Sequence, residues 1–402
     1  MFEKMRSLSK VIVYIVVVSF AIGGGYMGYG AFTGGDGGPA EQEEIDDVLV
    51  EVNGQEITRM RFNEVLQNYA HQTANFTRAQ MLSFEQNVLN SIIDEALLLS
   101  EARTRELDPE VSPEEIDDII DNILEQNNME LEELESVLAQ QNLTLSDLQD
   151  DIEQSLRQQN MLEEVMEEIR AEAEVSDEAV LDEYESRYDE DEQQEHDEEE
   201  REEITENIRE ELLDEKQDEY MQQWLEEARA EADIVINDSK MEAMNYFAEE
   251  EYTQALNAFE EAMRVSRDPS LFIYKARSHK EMGEEDEALS VLEEAEEEHP
   301  EQWEILFEQG EMLAAVDNEE EAVEKYEQAS EYAGRNLMAR YELNAAFRSI
   351  GEDERAQEEM DRFMELQQER QQIAPEGAPE EDIEEVDPDE IEVEPEEEEP
   401  IQ

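Results

Sequence analysis

The stretch VEVNGQEITRMRF, residues 50–62, combines the signals of a β-hairpin with those of a helix start. Apolar and polar residues alternate before Asn53-Gly54, a pair that suits the two-residue type I′ turn of a hairpin. Thr58 is then a suitable N-cap for a helix that presents Phe62 on its apolar face. We therefore predict a hairpin that leads directly into an amphipathic helix.

The next hundred or so residues have a helical pattern. An apolar face between Leu82 and Leu98 is broad enough for the central helix of a small domain. VSPEEIDDII, residues 111–120, contains a capping box with proline at the first helical position, and later helices are predicted to begin at the N-caps Ser146 and Ser176.

Acidic residues dominate the whole chain. The 402 residues include 117 Asp and Glu against 28 Lys and Arg, which gives a formal net charge of -89. Such a surface repels DNA, RNA and anionic lipid headgroups, so we predict no nucleic-acid partner. The acids are spread through every segment, which is typical of a halophilic or alkaliphilic protein. Near 1 M salt the electrostatic screening length falls to roughly 3 Å, so closely spaced carboxylates repel one another less. The sequence has no cysteine, which excludes disulfides and thiolate metal sites.

An apolar segment follows three basic residues near the N-terminus. Residues 11–32, VIVYIVVVSFAIGGGYMGYGAF, contain no charge and as a helix would rise about 33 Å, enough to cross a membrane. The basic flank predicts a single-pass cell-membrane protein with residues 1–10 cytoplasmic and the bulk of the chain extracytoplasmic, after a linker at 33–45. A cleaved signal peptide is the alternative.

Residues 239–371 contain an internal repeat. Four alanines at 255, 288, 322 and 356 follow one another at spacings of 33, 34 and 34 residues, which matches about four tetratricopeptide (TPR) repeats. The residues predicted to pack these repeats or to line their groove are Tyr246, Tyr252, Ala255, Phe259, Ala288, Ala322, Tyr326 and Ala356. The acidic, proline-containing residues 372–402 are predicted to be a disordered tail.

Several segments resemble the N-terminal chaperone domain of the SurA, PpiD and PrsA family. They are the VNGQEIT hairpin, the helix LNSIIDEALLLSEARTREL, VSPEEIDDII and VSDEAVLDEYESRYDE. The membrane segment with its glycine-rich exit is most similar to the PpiD type. The resemblance covers about half of the chain and implies a chaperone domain at 46–238, whose last strand at 234–236 should pair with the hairpin strand around Val50.

The resemblance also implies that this chain lacks the catalytic domain of the family. In that family a parvulin prolyl-isomerase domain would follow near Tyr188, and here an acidic linker at 189–203 stands in its place. The four histidines lie in different segments, and carboxylates are too abundant to mark a site. We therefore predict a non-enzymatic protein without catalytic residues, metal or cofactor.

Apolar helix faces are the remaining candidates for function. Each of their side chains is most simply explained as core, but together they suit a surface that takes unfolded segments. The candidate client-binding residues are Phe62, Leu66, Tyr69, Leu89, Ile93, Leu97, Met161 and Met166.

The sequence thus predicts a mainly α fold with a transmembrane helix, a SurA-like helical domain with a hairpin and return strand, and an α-solenoid of TPR helix pairs. We predict a membrane-anchored extracytoplasmic chaperone for newly translocated, unfolded polypeptides, with a TPR array that recruits a translocon or another protein. Two alternatives stay open: a TPR scaffold for which the SurA-like part is a stalk, and a divergent prolyl isomerase.

Overall fold

The computed structural model describes residues 47–70, 73, 75–140, 143–188 and 196–373. This part of the chain is mainly helical, as predicted, with fifteen helices and three short strands. The predicted membrane anchor at 11–32, its linker at 33–45 and all but the first two residues of the predicted tail lie outside the described residues. Within the described ranges, no helix has the length and apolar character needed to cross a membrane.

The predicted hairpin is confirmed. Strands β1 (Val48–Val52) and β2 (Gln55–Thr58) pair antiparallel, and both turn residues, Asn53 and Gly54, have positive φ, as a type I′ turn requires. The return strand β3 (Ile234–Ile236) pairs with the other edge of β1, with Val50 opposite Ile236. The sheet therefore joins two parts of the chain that are more than 180 residues apart.

Seven helices lie between the hairpin and the return strand in the part of the chain that the structure describes. They are α1 (Arg59–Gln67), α2 (Arg78–Thr104), α3 (Pro113–Asn127), α4 (Leu131–Gln140), α5 (Leu145–Arg170), α6 (Asp177–Arg187) and α7 (Glu198–Glu231). Thr58 caps α1 by accepting the Arg61 N–H, as predicted, and Ser112 caps α3 in the predicted capping box. The Ser176 cap of α6 is also confirmed, since its hydroxyl accepts the Ala179 N–H.

The predicted start of α5 is wrong by two residues. The N-cap is Thr144 rather than Ser146, because Thr144 and Asp147 bond each other's backbone N–H in a reciprocal capping box. Helix α7 likewise begins inside the stretch predicted as an acidic linker, at Glu198. Asp197 and Glu200 cap its first turn reciprocally through N–H to carboxylate bonds of 3.0 and 3.2 Å.

Helices α3 to α7, together with the end of α2, pack into three small cores rather than one. Ile123, Leu138 and Ile152 represent the core of α3, α4 and the first half of α5. The second half of α5 packs through Val165 and Ile169 on the end of α2 and on α7. Helix α6 packs on α7 around Tyr184. The long helix α5 therefore links two cores.

Eight further helices form four antiparallel pairs. They are α8 (Ser239–Ala248) with α9 (Tyr252–Val265), α10 (Pro269–Glu281) with α11 (Glu285–Glu298), α12 (Trp303–Ala315) with α13 (Glu319–Tyr332), and α14 (Leu337–Ser349) with α15 (Asp353–Ile373). The turn of each pair has one residue at positive φ: Glu250, Gly283, Asp317 and Gly351. Their spacings of 33, 34 and 34 residues repeat those of the predicted alanines, so the array has TPR-like helical repeats.

One core continues across residue 238, where the sequence predicts a domain boundary. Residues of the hairpin, α1 and α2, such as Val50, Phe62 and Leu89, belong to the same buried cluster as Met244, Phe259 and Ile273 of the array. The first pairs of the array therefore share their hydrophobic core with the N-terminal part.

Candidate polypeptide-binding surfaces

Four of the predicted client-binding residues are buried in the core. Phe62, Leu89, Ile93 and Leu97 are 4%, 0%, 2% and 4% exposed. Leu66 and Tyr69 are half-buried at the edge of the same cluster, where the Tyr69 ring packs edge-on against Phe84 at 5.3 Å. The structure thus places these residues in or beside the core, which agrees with the simpler explanation that the sequence allowed.

Met161 and Met166 lie in a different place, on the part of α5 that faces α7. Both are half-buried around a core of Val165, Ile169 and Met221. The structure therefore does not bring all eight predicted residues together on one surface. Thioether side chains adapt to irregular partners, which suits a surface that contacts varied sequences.

Helix α7 completes an apolar strip next to these methionines. We define the α5–α7 strip by its half-buried side chains, which are Met161, Leu162, Met166, Tyr220, Trp224 and Leu225. The sequence prediction of client-binding residues missed Tyr220, Trp224 and Leu225. The sequence nevertheless contained a signal that could have indicated them: Tyr220 and Trp224 form an aromatic pair at i, i+4 in a helix that is otherwise densely acidic. Such large amphipathic rings are enriched where proteins bind one another.

Charged side chains border the strip. Arg105, at the end of α2, bonds the carboxylates of Glu101, Glu168 and Glu172 at 2.8, 3.3 and 3.1 Å. The Tyr220 hydroxyl donates to Glu172 at 2.9 Å, and this hydrogen bond raises the pKa of the phenol. An apolar strip with a polar border is the usual anatomy of a protein-binding surface.

The predicted TPR residues lie at packing positions of the array. Ala255, Phe259, Ala288, Ala322 and Tyr326 are 0% exposed and Ala356 is 2% exposed. Tyr246 and Tyr252 are half-buried, and the Tyr252 ring packs edge-on against Phe247 at 5.8 Å. These side chains therefore hold helices together within and between pairs.

The first helices of the pairs, α8, α10, α12 and α14, form a second surface, which we call the first-helix face. Helix α2 lies across it with its N-terminal turns. Glu304 of α12 accepts the backbone N–H of Arg78 at 2.9 Å, and the Tyr274 hydroxyl of α10 donates to the Ala79 carbonyl at 3.1 Å. A cleft of about 350 Å³ remains between α2 and this face.

Carboxyl groups are concentrated where α2 meets the first-helix face. Glu342 of α14 accepts from the Gln80 amide at 2.9 Å, and burial together with the nearby Glu308 raises the pKa of Glu342 to about 7. Burial also raises the pKa of Glu304. Glu308 is paired with Arg277, whose guanidinium bonds both carboxylate oxygens. The contact is therefore sensitive to the protonation of buried acids.

This sensitivity predicts a pH-dependent effect of Glu342→Gln. The folded-state pKa of Glu342 lies above its ordinary value of 4.5, so folding favours the protonated carboxyl group. The stability of the folded state that depends on this group is therefore fully present below pH 4.5 and is lost as pH rises through about 7. Glutamine keeps an acceptor for Gln80 but cannot ionise. We expect the variant to unfold at a higher temperature than the wild type at pH 8.5 and to approach it at pH 5.

Thermal unfolding at the two pH values, with the exposed Glu320→Gln as a control, measures this effect. An equal change of the midpoint with pH in the wild type and in Glu342→Gln would contradict it.

Histidines in the described ranges make structural contacts. The Tyr184 hydroxyl and His196 Nδ1 are 2.7 Å apart beside Tyr188, where α6 turns back to α7. His279 bonds Glu284 at 2.8 Å, and His299 lies 2.7 Å from the Arg267 carbonyl. In the same ranges no group of three or more His, Asp or Glu side chains is arranged to hold a metal ion.

Solved structures with a similar arrangement include a crystal structure of MamA. It is 12% identical in sequence, covers 34% of this chain and 82% of its own, and has a TM-score of 0.28. A double mutant described as MamA RS-1 ArsTM is 17% identical over 34% of this chain and 76% of its own, with a TM-score of 0.28. None of the curated proteins matches the chain.

A family comparison concerns the N-terminal part. Residues 1–162 match the SurA-like N-terminal domain. This range includes the hairpin, α1 to α4 and the first two thirds of α5. The chain therefore combines a segment similar to SurA-like N-terminal domains with an array of TPR-like helix pairs.

Proposed function

We propose that the protein is a membrane-anchored, extracytoplasmic chaperone that holds newly translocated, unfolded polypeptides without catalysing a reaction. The observation that carries the proposal is the match of residues 1–162 to the SurA-like N-terminal domain. The apolar N-terminal residues 11–32 support the anchor, because their length and basic flank suit a single span. Tethering would raise the local concentration of the chaperone at the membrane without tight intrinsic binding.

The α5–α7 strip is the surface that best suits client binding. Its six side chains are apolar or aromatic, half-buried and therefore accessible, and they lie on long helices that hold them in place. Trp and Tyr supply a large contact area with little loss of conformational entropy, and Met adapts to different client side chains. The acidic residues around the strip keep it soluble and would favour clients with basic residues next to their apolar ones.

The absence of an isomerase activity is a part of this proposal. Helix α6 ends at Arg187 and α7 begins at Glu198. The connection is therefore ten residues, Tyr188 to Asp197, whereas a domain of the parvulin size needs roughly 100. The two helices also pack directly on each other through Val180, Tyr184 and Ile208.

Removing the large side chains of the strip should impair client holding. We expect Met166→Ala/Trp224→Ala to lose most of the suppression of aggregation of a chemically denatured client, because these two residues contribute from both helices of the strip. Light scattering of the client in the presence of the full-length protein measures this loss. Gln223→Ala is the matched control, since Gln223 neighbours Trp224 but is exposed.

Unchanged suppression by the double variant, with its helical content intact, would contradict the role of the strip. Crosslinking in membranes then separates the chaperone from the scaffold alternative. A chaperone is expected to yield many bound chains in an unfolded state, and a scaffold a single partner in fixed stoichiometry.

A further inference from the structure

Helix α2 contacts the first helix of every pair in the array. Within its first three turns, Glu85 pairs with Lys240 of α8, the Ala79 carbonyl accepts from Tyr274 of α10, the Arg78 N–H donates to Glu304 of α12, and Gln80 donates to Glu342 of α14. The four partners are spaced along the whole array. The N-terminal part of α2 therefore reaches the first helices of all four pairs from one short segment.

Two of these contacts are made by the main chain of α2. The Arg78 N–H is one of the groups that a helix start leaves without an intrahelical partner, and the Glu304 carboxylate satisfies it. The Tyr274 hydroxyl bonds the carbonyl of the next residue, Ala79. Main-chain bonds combined with side-chain pockets are the way in which grooves hold peptide segments.

The helix dipole and the burial of apolar side chains both favour this contact. The start of α2 has the positive end of the helix dipole, and it meets the carboxyl groups of Glu304, Glu308 and Glu342. Ala79 and Leu82 of α2 are 6% and 3% exposed, and Tyr274 is 5% exposed. The contact thus combines buried apolar side chains with buried polar bonds and leaves a cleft beside them, similar to that of a bound ligand.

We propose that the first-helix face is a ligand-binding groove and that residues 76–86 of the same chain are its resident ligand. An external segment can bind there only after α2 has been displaced. Such a competitor needs a small residue at the position of Ala79 and a donor or positive charge toward Glu304 and Glu342. This inference goes beyond the proposed function, because it holds whether or not the α5–α7 strip binds clients.

Cysteine crosslinking tests whether the groove is filled. The natural sequence has no cysteine, so Gln80→Cys/Glu342→Cys introduces the only two thiols. We expect a short bis-maleimide to join them rapidly within the full-length chain. Gln80→Cys/Glu320→Cys is the control, because Glu320 is exposed on the second helix α13 and does not face α2. Equal crosslinking of both pairs would overturn the proposal.

Binding of the segment in trans tests whether the groove recognises its sequence. Ala79→Glu in the full-length protein adds a carboxylate to the cleft that Glu304 and Glu342 line, and this repulsion should displace the first turns of α2, while the shared core around Leu89 keeps the rest of α2 on the array. We expect a labelled peptide of residues 75–90 to bind this variant at least about tenfold more tightly than the wild type, in which the site is filled. The same peptide with the Ala79→Glu change should not bind.

Equal binding of the natural peptide to the wild type and to Ala79→Glu would also overturn the proposal. If Ala79→Glu fails to fold, the comparison of the two cysteine pairs decides it alone.

Discussion

Replacing Glu359 by alanine is expected to lower the free energy of unfolding by about 3 to 5 kcal/mol, because it leaves the Arg340 guanidinium buried without its counter-ion. The side chains of Arg340 and Glu359 are 8% and 3% exposed, and Nη1 and Oε2 are 2.7 Å apart. Arg340 also donates to the carbonyls of Ser330 and Gly334 at 3.1 and 2.9 Å. These bonds hold the guanidinium in place, so it cannot move to water when the carboxylate is removed.

Glu358→Ala is the matched control for this prediction. Glu358 precedes Glu359 on α15 but is exposed, and its ion pair with Arg362 is 4.0 Å long. Surface pairs of this kind contribute about 0 to 1 kcal/mol. Urea unfolding followed by circular dichroism compares the two variants, and equal losses would show that the buried pair has no special role.

A second variant separates the ion pair from the packing. Arg340→Met/Glu359→Leu removes both charges, and we expect it to be more stable than Glu359→Ala, because no unpaired charge remains in the core. A double variant as unstable as Glu359→Ala would indicate that the lost volume, rather than the unpaired charge, dominates.

Gly310→Ala is expected to destabilise the array by about 3 kcal/mol, at the upper end of the usual cost of overpacking. A Cβ atom at Gly310 of α12 would lie 2.5 Å from Cδ1 of Tyr326 on the partner helix α13. The Tyr326 ring cannot yield, because it is fully buried between Phe307 and Phe347 and its hydroxyl bonds Glu311. Helix propensity alone predicts the opposite effect, a stabilisation by roughly 0.5 to 1 kcal/mol, because alanine favours a helix over glycine.

The preceding repeat provides the compensating change. Ala276 and Leu292 lie 34 residues before Gly310 and Tyr326, at the same repeat positions. Gly310→Ala/Tyr326→Leu should therefore be more stable than the sum of the two single variants implies, by at least about 1 kcal/mol of coupling. Chemical unfolding of the four proteins in a double-mutant cycle measures that coupling, and strict additivity would exclude the steric explanation.

Local chemistry explains which parts of the fold were predictable. Asn53-Gly54 determines a turn, Thr58 and Ser112 determine helix starts, and the spaced alanines determine the helix pairs, because each signal acts over a few residues. The start of α5 was mispredicted because two hydroxyl residues compete there and only Thr144 has an acid three residues later.

The docking of α2 on the array could not be predicted in this way. Arg78, Gln80, Glu304 and Glu342 are residue types that usually remain solvated, and the sequence contains more than a hundred similar carboxylates. Their partners lie 226 and 262 positions away along the chain. The sequence predicted only the α5 side of the α5–α7 strip. Met161 and Met166 are on a helix with a clear apolar face, whereas the apolar residues of α7 are hidden in a pattern with acids on all sides.

The pairing of β3 with β1 determines how mechanical load would pass through the molecule. Val50 lies opposite Ile236, so the chain enters the N-terminal part on the central strand β1 and leaves it on the neighbouring edge strand β3. Pulling between residue 47 and the array therefore acts on the β1–β3 pair and on the contacts between α2 and the array, whereas α3 to α6 lie outside this path. Those helices can bend or part around a cargo while the array keeps a constant distance from whatever holds the first residues of the chain.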